Sequence, residues 1–287
     1  MTPAQRRQLI GKSLGAAVVL YGVFIGTRWG QRADSAAKVY AQVHRYTPRL
    51  RSRGLPPLRD ISLVIPLVAT AITLVLLAMQ PRTQRWRAVV AVAAVVIPGV
   101  MICQALKVVL PYPALTKYPD WIGSSTFPSG HTAFVSGLAL SCYGLMPRRM
   151  RFYGSYLSAV MVFAITVGVV VDGRHRPSET ASAVAVVVAW YLSISPFVTV
   201  MARSPGAHRS PTFRVSGYAA GACSLGLAAS VRLDDFPPAV ASVDRAFAAA
   251  VLLAASTSLL FHDLITVYFS DRDLRWTRRI AESTTAL

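Results

Sequence analysis

Apolar positions in this chain run in long blocks, not in the alternation of a strand or the single stripe of a soluble amphipathic helix. Eight blocks stand out, at 13–27, 61–79, 86–108, 131–146, 154–171, 180–201, 213–231 and 246–269. Each is long enough, or nearly so, to cross ~30 Å of hydrocarbon as a helix rising ~1.5 Å per residue. They predict an all-α fold, a polytopic membrane helical bundle. Pro98-Gly99 predicts a kink inside the third block. Gly217-x-x-x-Gly221 in the seventh predicts a small-residue packing face. Between the blocks lie a basic start (1–12), a long basic connection (28–60) ending in Gly54-Leu55-Pro56-Pro57, a polar loop (109–130) and a short polar loop (172–179). Within the basic connection, Ala36, Ala37, Val39, Tyr40 and Val43 predict an amphipathic helix lying at the membrane interface.

Composition agrees with the pattern. Of 287 residues, 54% are hydrophobic and only 15% are charged, against about 25% charged in a soluble domain. The net charge of +18 would suggest nucleic acid in a soluble chain. Here the arginines fall in short loops between apolar blocks, which points to an anionic bilayer and to no nucleic-acid partner. Arg82, Arg85 and Arg87, then Arg148, Arg149 and Arg151, then Arg203, Arg209 and Arg214, and finally Arg272, Arg275, Arg278 and Arg279 all fall on one side with the N-terminus. The positive-inside rule makes that side the cytoplasm, and puts 109–130 and 172–179 on the outer face. The Arg-rich 28–60 segment, also outside by this count, departs from the rule, and its charge predicts a task at that surface. Cys103, Cys142 and Cys223 each sit inside an apolar block without metal-ligand spacing and read as small packed side chains. The first block has no cleavage site of the signal-peptide kind. His262-Asp263 reads as a helix end, and His44 and His208 as solvated loop residues.

Three polar pieces converge on the outer face: Lys107 through Pro113 after the third block, Phe127-Pro128-Ser129-Gly130-His131-Thr132, and Asp172-Gly173-Arg174-His175-Arg176-Pro177-Ser178-Glu179. Pro128 and Gly130 turn the chain, and a helix opening at His131 exposes N–H groups beside the Ser129 hydroxyl, a natural phosphate cradle. Two imidazoles, cations and one carboxylate suit phosphoryl transfer through phosphohistidine. One histidine attacks phosphorus while a carboxylate four residues on holds its other ring nitrogen. The second histidine protonates the leaving oxygen. Cations and N–H groups hold the charge on the equatorial oxygens. No His, Cys, Asp or Glu set has metal-ligand spacing, so neither metal nor other cofactor is expected.

In these residues the chain resembles the type 2 phosphatidic acid phosphatase superfamily of integral membrane lipid phosphatases. The resemblance covers residues 107–179 and the first six spans, so it implies a six-helix core over 1–201 with two additional spans in 202–287. It makes His175 the nucleophile, His131 the general acid, Glu179 the group that orients His175, and Lys107, Ser129 and Gly130 phosphate ligands. The chain departs from the family at two places. Tyr112-Pro113 stands where the first motif ends in Arg-Pro, and Gly168-Val169 where the third begins with Ser-Arg. Arg174 and Arg176, which flank His175, are expected to supply the phosphate-binding charge instead. The implied partner is a lipid or polyprenyl phosphate; an alcohol in place of water would make the same chemistry a transferase. A silent lipid-phosphate binder or scaffold is the rival reading. A transporter would show inverted repeats or polar residues deep in several spans.

Overall fold

A computed structural model describes residues 3–45, 61–113, 115–116, 127–147, 150–195, 211–229, 245 and 247–266. Its helices are α1 (Pro3–Leu20, continued by a π-helical turn, Tyr21–Ile25), α2 (Arg28–Arg45), α3 (Ile61–Ala78), α4 (Arg82–Val109), α5 (Gly130–Leu145), α6 (Arg151–Val171), α7 (Pro177–Ile194), α8 (Pro211–Ala229) and α9 (Phe247–Thr266). No strand occurs among the described residues. Among the described residues, five helices are long and apolar enough to cross a membrane: Pro3–Ile25, Arg82–Val109, Arg151–Val171, Pro177–Ile194 and Phe247–Thr266. α3 and α8 contain shorter apolar stretches, Ser62–Ala78 and Val215–Ala228. Exposed Leu67 and Val75 on α3 and Ile97 and Met101 on α4 form the outward apolar surface that lipid covers. The protein is therefore an α-helical integral membrane protein.

The bundle is built around α5. Every residue of this helix except His131 and Phe134 is buried, and it packs on α3, α4, α6 and α7. A helix enclosed on all sides needs small residues wherever a neighbour comes close. A Cβ on Gly137 would stand 3.2 Å from the Val96 Cα, so α4 passes α5 nearly backbone to backbone. Hydroxyls in this core are satisfied locally: Ser141 donates to the Gly137 carbonyl (2.8 Å) and Ser158 of α6 to the Ala139 carbonyl (2.9 Å). α4 runs unbroken through Pro98. α7 begins earlier than its apolar block, because Pro177 takes the first helical position and Glu179 bonds back to the Arg176 N–H.

The 28–60 connection differs most from its expectation. After α1 the chain reverses at Gly26-Thr27. Gly30 then comes so close that a Cβ would lie 2.0 Å from the Val23 carbonyl oxygen. Thr27 holds the corner, donating to Val23 O (2.6 Å) and accepting from Gly30 N–H (2.9 Å). α2 is helical, as its apolar spacing predicts, and packs one face on the rest of the protein. Ala36 and Ala37 are buried against protein, together with Gln31, Asp34, Ser35 and Lys38. Ala33 packs with Ala228 of α8 and Ala249 of α9, and Ala37 with Val170 of α6 and Ala250 of α9. The two C-terminal helices thus cover the outer side of α2. Val39, Tyr40 and Val43 have side chains outside the described set, as have residues 46–60.

α8 and α9 meet through the Gly217/Gly221 face. A Cβ on Gly217 would touch Leu260 at 3.0 Å, and one on Gly221 would meet the Ser256 hydroxyl at 2.9 Å. α9 in turn docks on α6, where Ser258 donates to the Ala159 carbonyl (2.6 Å) and His262 Nε2 pairs with Ser155 Oγ (3.1 Å). His262, read as part of a capped helix end, is buried, its ring tilted by 51° to that of Tyr156 with centroids 4.9 Å apart.

Candidate active site

The C-terminal ends of α1, α4 and α6, and the N-terminal ends of α2, α3, α5 and α7, meet at one end of the bundle. The N-terminal ends of α4 and α6, with Arg82, Arg85, Arg87 and Arg151, lie at the other. Gln31 ties the corner before α2 to the loop after α4, donating to Ile25 O (2.7 Å) and Pro113 O (2.6 Å). The Tyr21 hydroxyl donates to the Pro111 carbonyl. At the end of α6, Asp172 accepts from the Ser62 N–H that heads α3 (3.2 Å). Gly173 follows with φ 66°, a left-handed turn that suits glycine. That turn delivers Arg174, His175 and Arg176 to the start of α7.

His175 is buried, and its Nδ1 lies 2.9 Å from Glu179 Oε2. A carboxylate can only accept, so Nδ1 is the donor, and in the neutral ring Nε2 is the nitrogen with the lone pair. The same Oε2 accepts from the Arg176 N–H (3.1 Å). Glu179 therefore caps α7 and orients the imidazole with one atom. Its backbone carbonyl accepts from the Ser129 N–H at 2.9 Å, which couples the second polar piece to the third. His131, one residue into α5, faces His175 edge-on with ring centroids 5.9 Å apart.

Ser129, expected as a phosphate ligand, is fully buried, and its Oγ caps α5 by accepting from Thr132 N–H (3.3 Å) and Thr132 Oγ1 (3.1 Å). Its hydroxyl proton is not used by either bond. The N–H groups of Gly130 and His131 head the helix without intrahelical acceptors and are further donors to an anion. Lys107 is brought to the same place: its Nζ lies 3.7 Å from where a Gly130 Cβ would be. Gln104, one turn earlier on α4, puts its Nε2 only 2.7 Å from that point.

The two flanking arginines separate. Arg174 is at the surface, its side chain 37% exposed, with Nε 4.0 Å from Asp172 Oδ2. Arg176 turns inward and is fully buried. Its guanidinium stacks over the Tyr112 ring at 4.7 Å and reaches Glu179 Oε1 at 3.7 Å. Arg176, expected as a phosphate ligand, thus lies one residue from His175 but is enclosed by protein. Arg176 instead sets a buried positive charge beside Glu179, on the ring that stands where the family has Arg. Burial pushes the Tyr112 phenol up, so the ring meets Arg176 as a neutral phenol.

α2 supplies residues to this end that the sequence reading did not single out. Asp34 accepts from Ser178 N–H (3.0 Å) and from the Ser178 hydroxyl. Lys38, one turn further, is buried with Glu179, Arg176 and Asp34 as its electrostatic neighbours. Burial raises the Asp34 carboxyl to about 7, against the pull of Arg176, and lowers the Lys38 ammonium from 10.5. The available signal was Asp34-x-x-x-Lys38, an i, i+4 pair on one helix face in a segment otherwise read for its arginines. Gln104, a carboxamide in an apolar block three residues before Lys107, was the other. Among the described residues, no three His, Cys, Asp or Glu side chains gather as a metal site would need. No protein-family model, curated protein or solved structure matches the chain.

Proposed function

We propose that this protein hydrolyses a lipid or isoprenoid phosphate through a covalent phosphohistidine, in the manner of the type 2 phosphatidic acid phosphatases it resembles. The observation that carries the reading is the His175–Glu179 pair at 2.9 Å with His131 across from it. Glu179 holds Nδ1–H, so Nε2 attacks phosphorus and forms the P–N bond. The bond to the leaving oxygen breaks, and that oxygen takes its electron pair and a proton from His131. Lys107, Gln104 and the N–H groups of Gly130 and His131 hold the charge on the equatorial oxygens. Water then attacks phosphorus, His131 takes its proton, and the P–N bond breaks to return neutral His175. No step requires a metal or other cofactor. The reactive phosphate reaches the site from the outer leaflet while its tail lies in the bilayer, as the arginine distribution suggests. An alcohol in place of water makes the same sequence a transfer.

A second reading, a lipid-phosphate binder without turnover, is favoured by one observation. Arg176 is enclosed against Tyr112 and Glu179, which leaves Lys107 and Arg174 as the more accessible cations of the three polar pieces. Phosphate release by the purified protein in detergent with EDTA distinguishes the two. The panel is phosphatidic acid, phosphatidylglycerol phosphate and polyprenyl mono- and diphosphates. Release in chelator that is lost in His175→Ala is the expected result. Binding of these lipids without release from any of them would establish the second reading.

A further inference from the structure

The first turn of α7 is capped in an unusual way. Its N-cap position belongs to Arg176, whose side chain has only donors and cannot accept from the N–H groups that a helix start leaves open. Glu179 answers the Arg176 N–H, but the same Oε2 is also bound to His175. The Ser178 N–H is met from another helix altogether. Asp34, 144 positions away, accepts from that N–H at 3.0 Å and from the Ser178 hydroxyl as well. Both residues are buried.

We propose that Asp34 is a positioning residue for the reaction: by taking both donors of Ser178 it locks the first turn of α7, and so sets Glu179 and the reactive nitrogen of His175. This rests on the phosphohistidine reading above. Without Asp34, the Ser178 N–H and hydroxyl lose their acceptors in a buried turn, and the first turn of α7 must shift to find others. Glu179 is part of that turn, so the shift moves its carboxylate relative to His175 Nδ1, which frees the imidazole to rotate and to change tautomer. Asp34 can do this because α2 is itself held. Gln31 anchors its first turn to Ile25 O and Pro113 O, and Ala33 and Ala37 are seated against α8, α9 and α6. The C-terminal helices thereby acquire a part in the chemistry as the backing of α2. Lys38, buried one turn on, balances the acidic pair Asp34 and Glu179 together with Arg176.

The test uses the full chain in detergent, as wild type, Asp34→Ala, Asp34→Asn and Ser178→Ala, each shown to be folded by its thermal transition. Steady-state release from the best phosphate of the panel should show kcat falling about 10- to 100-fold in Asp34→Ala, the size expected when a reacting group is misplaced by ~1 Å, and by a smaller factor in Ser178→Ala, which keeps the N–H contact. KM should stay within about threefold, because the phosphate ligands are untouched. Asn accepts from Ser178 and should recover most of kcat. A second measurement needs no turnover. In protein labelled with 15N-histidine, the His175 ring signals, assigned by their loss in His175→Gln, should report an Nδ1-protonated tautomer in wild type and Asp34→Asn, and a shifted or mixed tautomer in Asp34→Ala. Wild-type kcat in folded Asp34→Ala, or an unchanged His175 signature, would overturn the proposal. If wild type releases no phosphate, the phosphatase reading fails on its own, and the His175 signature still decides whether Asp34 sets the imidazole. Should Asp34→Ala not fold, Ser178→Ala removes the hydroxyl half of the contact, and wild-type kcat with an unchanged His175 signature there would overturn the proposal.

Discussion

At the scale of the residue, the site works by giving single atoms two tasks. Glu179 Oε2 caps a helix and orients an imidazole, and the Ser129 oxygen accepts from both the N–H and the hydroxyl of Thr132. Gly130 is kept free of a side chain because Gln104 and Lys107 occupy the space over it. Alanine at 130 would put a Cβ 2.7 Å from Gln104 Nε2, a flexible end that can move aside. Gly130→Ala is therefore expected to fold with a melting temperature within a few degrees of wild type, and to raise KM for the phosphate about tenfold, a loss of roughly 1.4 kcal/mol of ground-state binding. A melting curve and a Michaelis series on the same preparation check both halves. Of the residues expected at the site, His131, His175, Glu179, Lys107 and Gly130 are brought together. Arg176 instead joins a buried stack, because an aromatic ring at position 112 offers its guanidinium a face.

At the scale of the element, α2 is the helix that alternation and charge described least well. Its spacing predicted an amphipathic helix with Ala36 and Ala37 on the apolar face, but not that Asp34 and Lys38 would be buried with that face. What holds it in place is backbone contact at the corner. A Cβ on Gly30 would overlap the Val23 carbonyl oxygen at 2.0 Å, and no side-chain adjustment relieves a clash with backbone. Gly30→Ala should destabilise the protein by about 3 kcal/mol or more, seen as a lower midpoint of thermal aggregation in detergent, and should disturb the site through Asp34. On the far side of α2, Ala37 is fully buried against Val170 and Ala250. Ala37→Leu should cost about 1–3 kcal/mol by overpacking. A melting temperature equal to wild type would mean that α8 and α9 do not press on α2.

At the scale of the whole molecule, an acid is buried at the meeting point of α2 and α7, and this ties stability to pH. The Asp34 carboxyl is raised from 3.8 to about 7 by burial, with Arg176 and Ser178 opposing and Glu179 reinforcing the shift. Folding therefore binds a proton at pH values between these limits, and stability falls as pH rises from about 4 to about 7 before levelling off. Lys38, lowered from 10.5, acts in the other sense, toward greater stability as pH approaches 10.5. Melting temperatures taken from pH 5 to pH 8 should decline in wild type, and decline less in Asp34→Asn, which cannot ionise. Equal slopes in the two proteins would mean that Asp34 is ionised throughout.

What the sequence determined by itself is what depends on local pattern. Long apolar blocks place the helices, because in lipid every backbone N–H and C=O must be satisfied within its own segment. Gly217 and Gly221 mark a packing face, and the four-residue spacing of His175 and Glu179 puts a carboxylate one turn from an imidazole. Only the tertiary structure decided which polar groups end up buried together. The inward turn of α2, the meeting of Asp34 with Ser178, and the retreat of Arg176 onto Tyr112 each join residues from separate segments, by corners and close contacts that no periodicity encodes. Desolvation is the reason they matter. A carboxylate, an ammonium and a guanidinium that would be indifferent in water must find partners once enclosed, and the partners they find define the site.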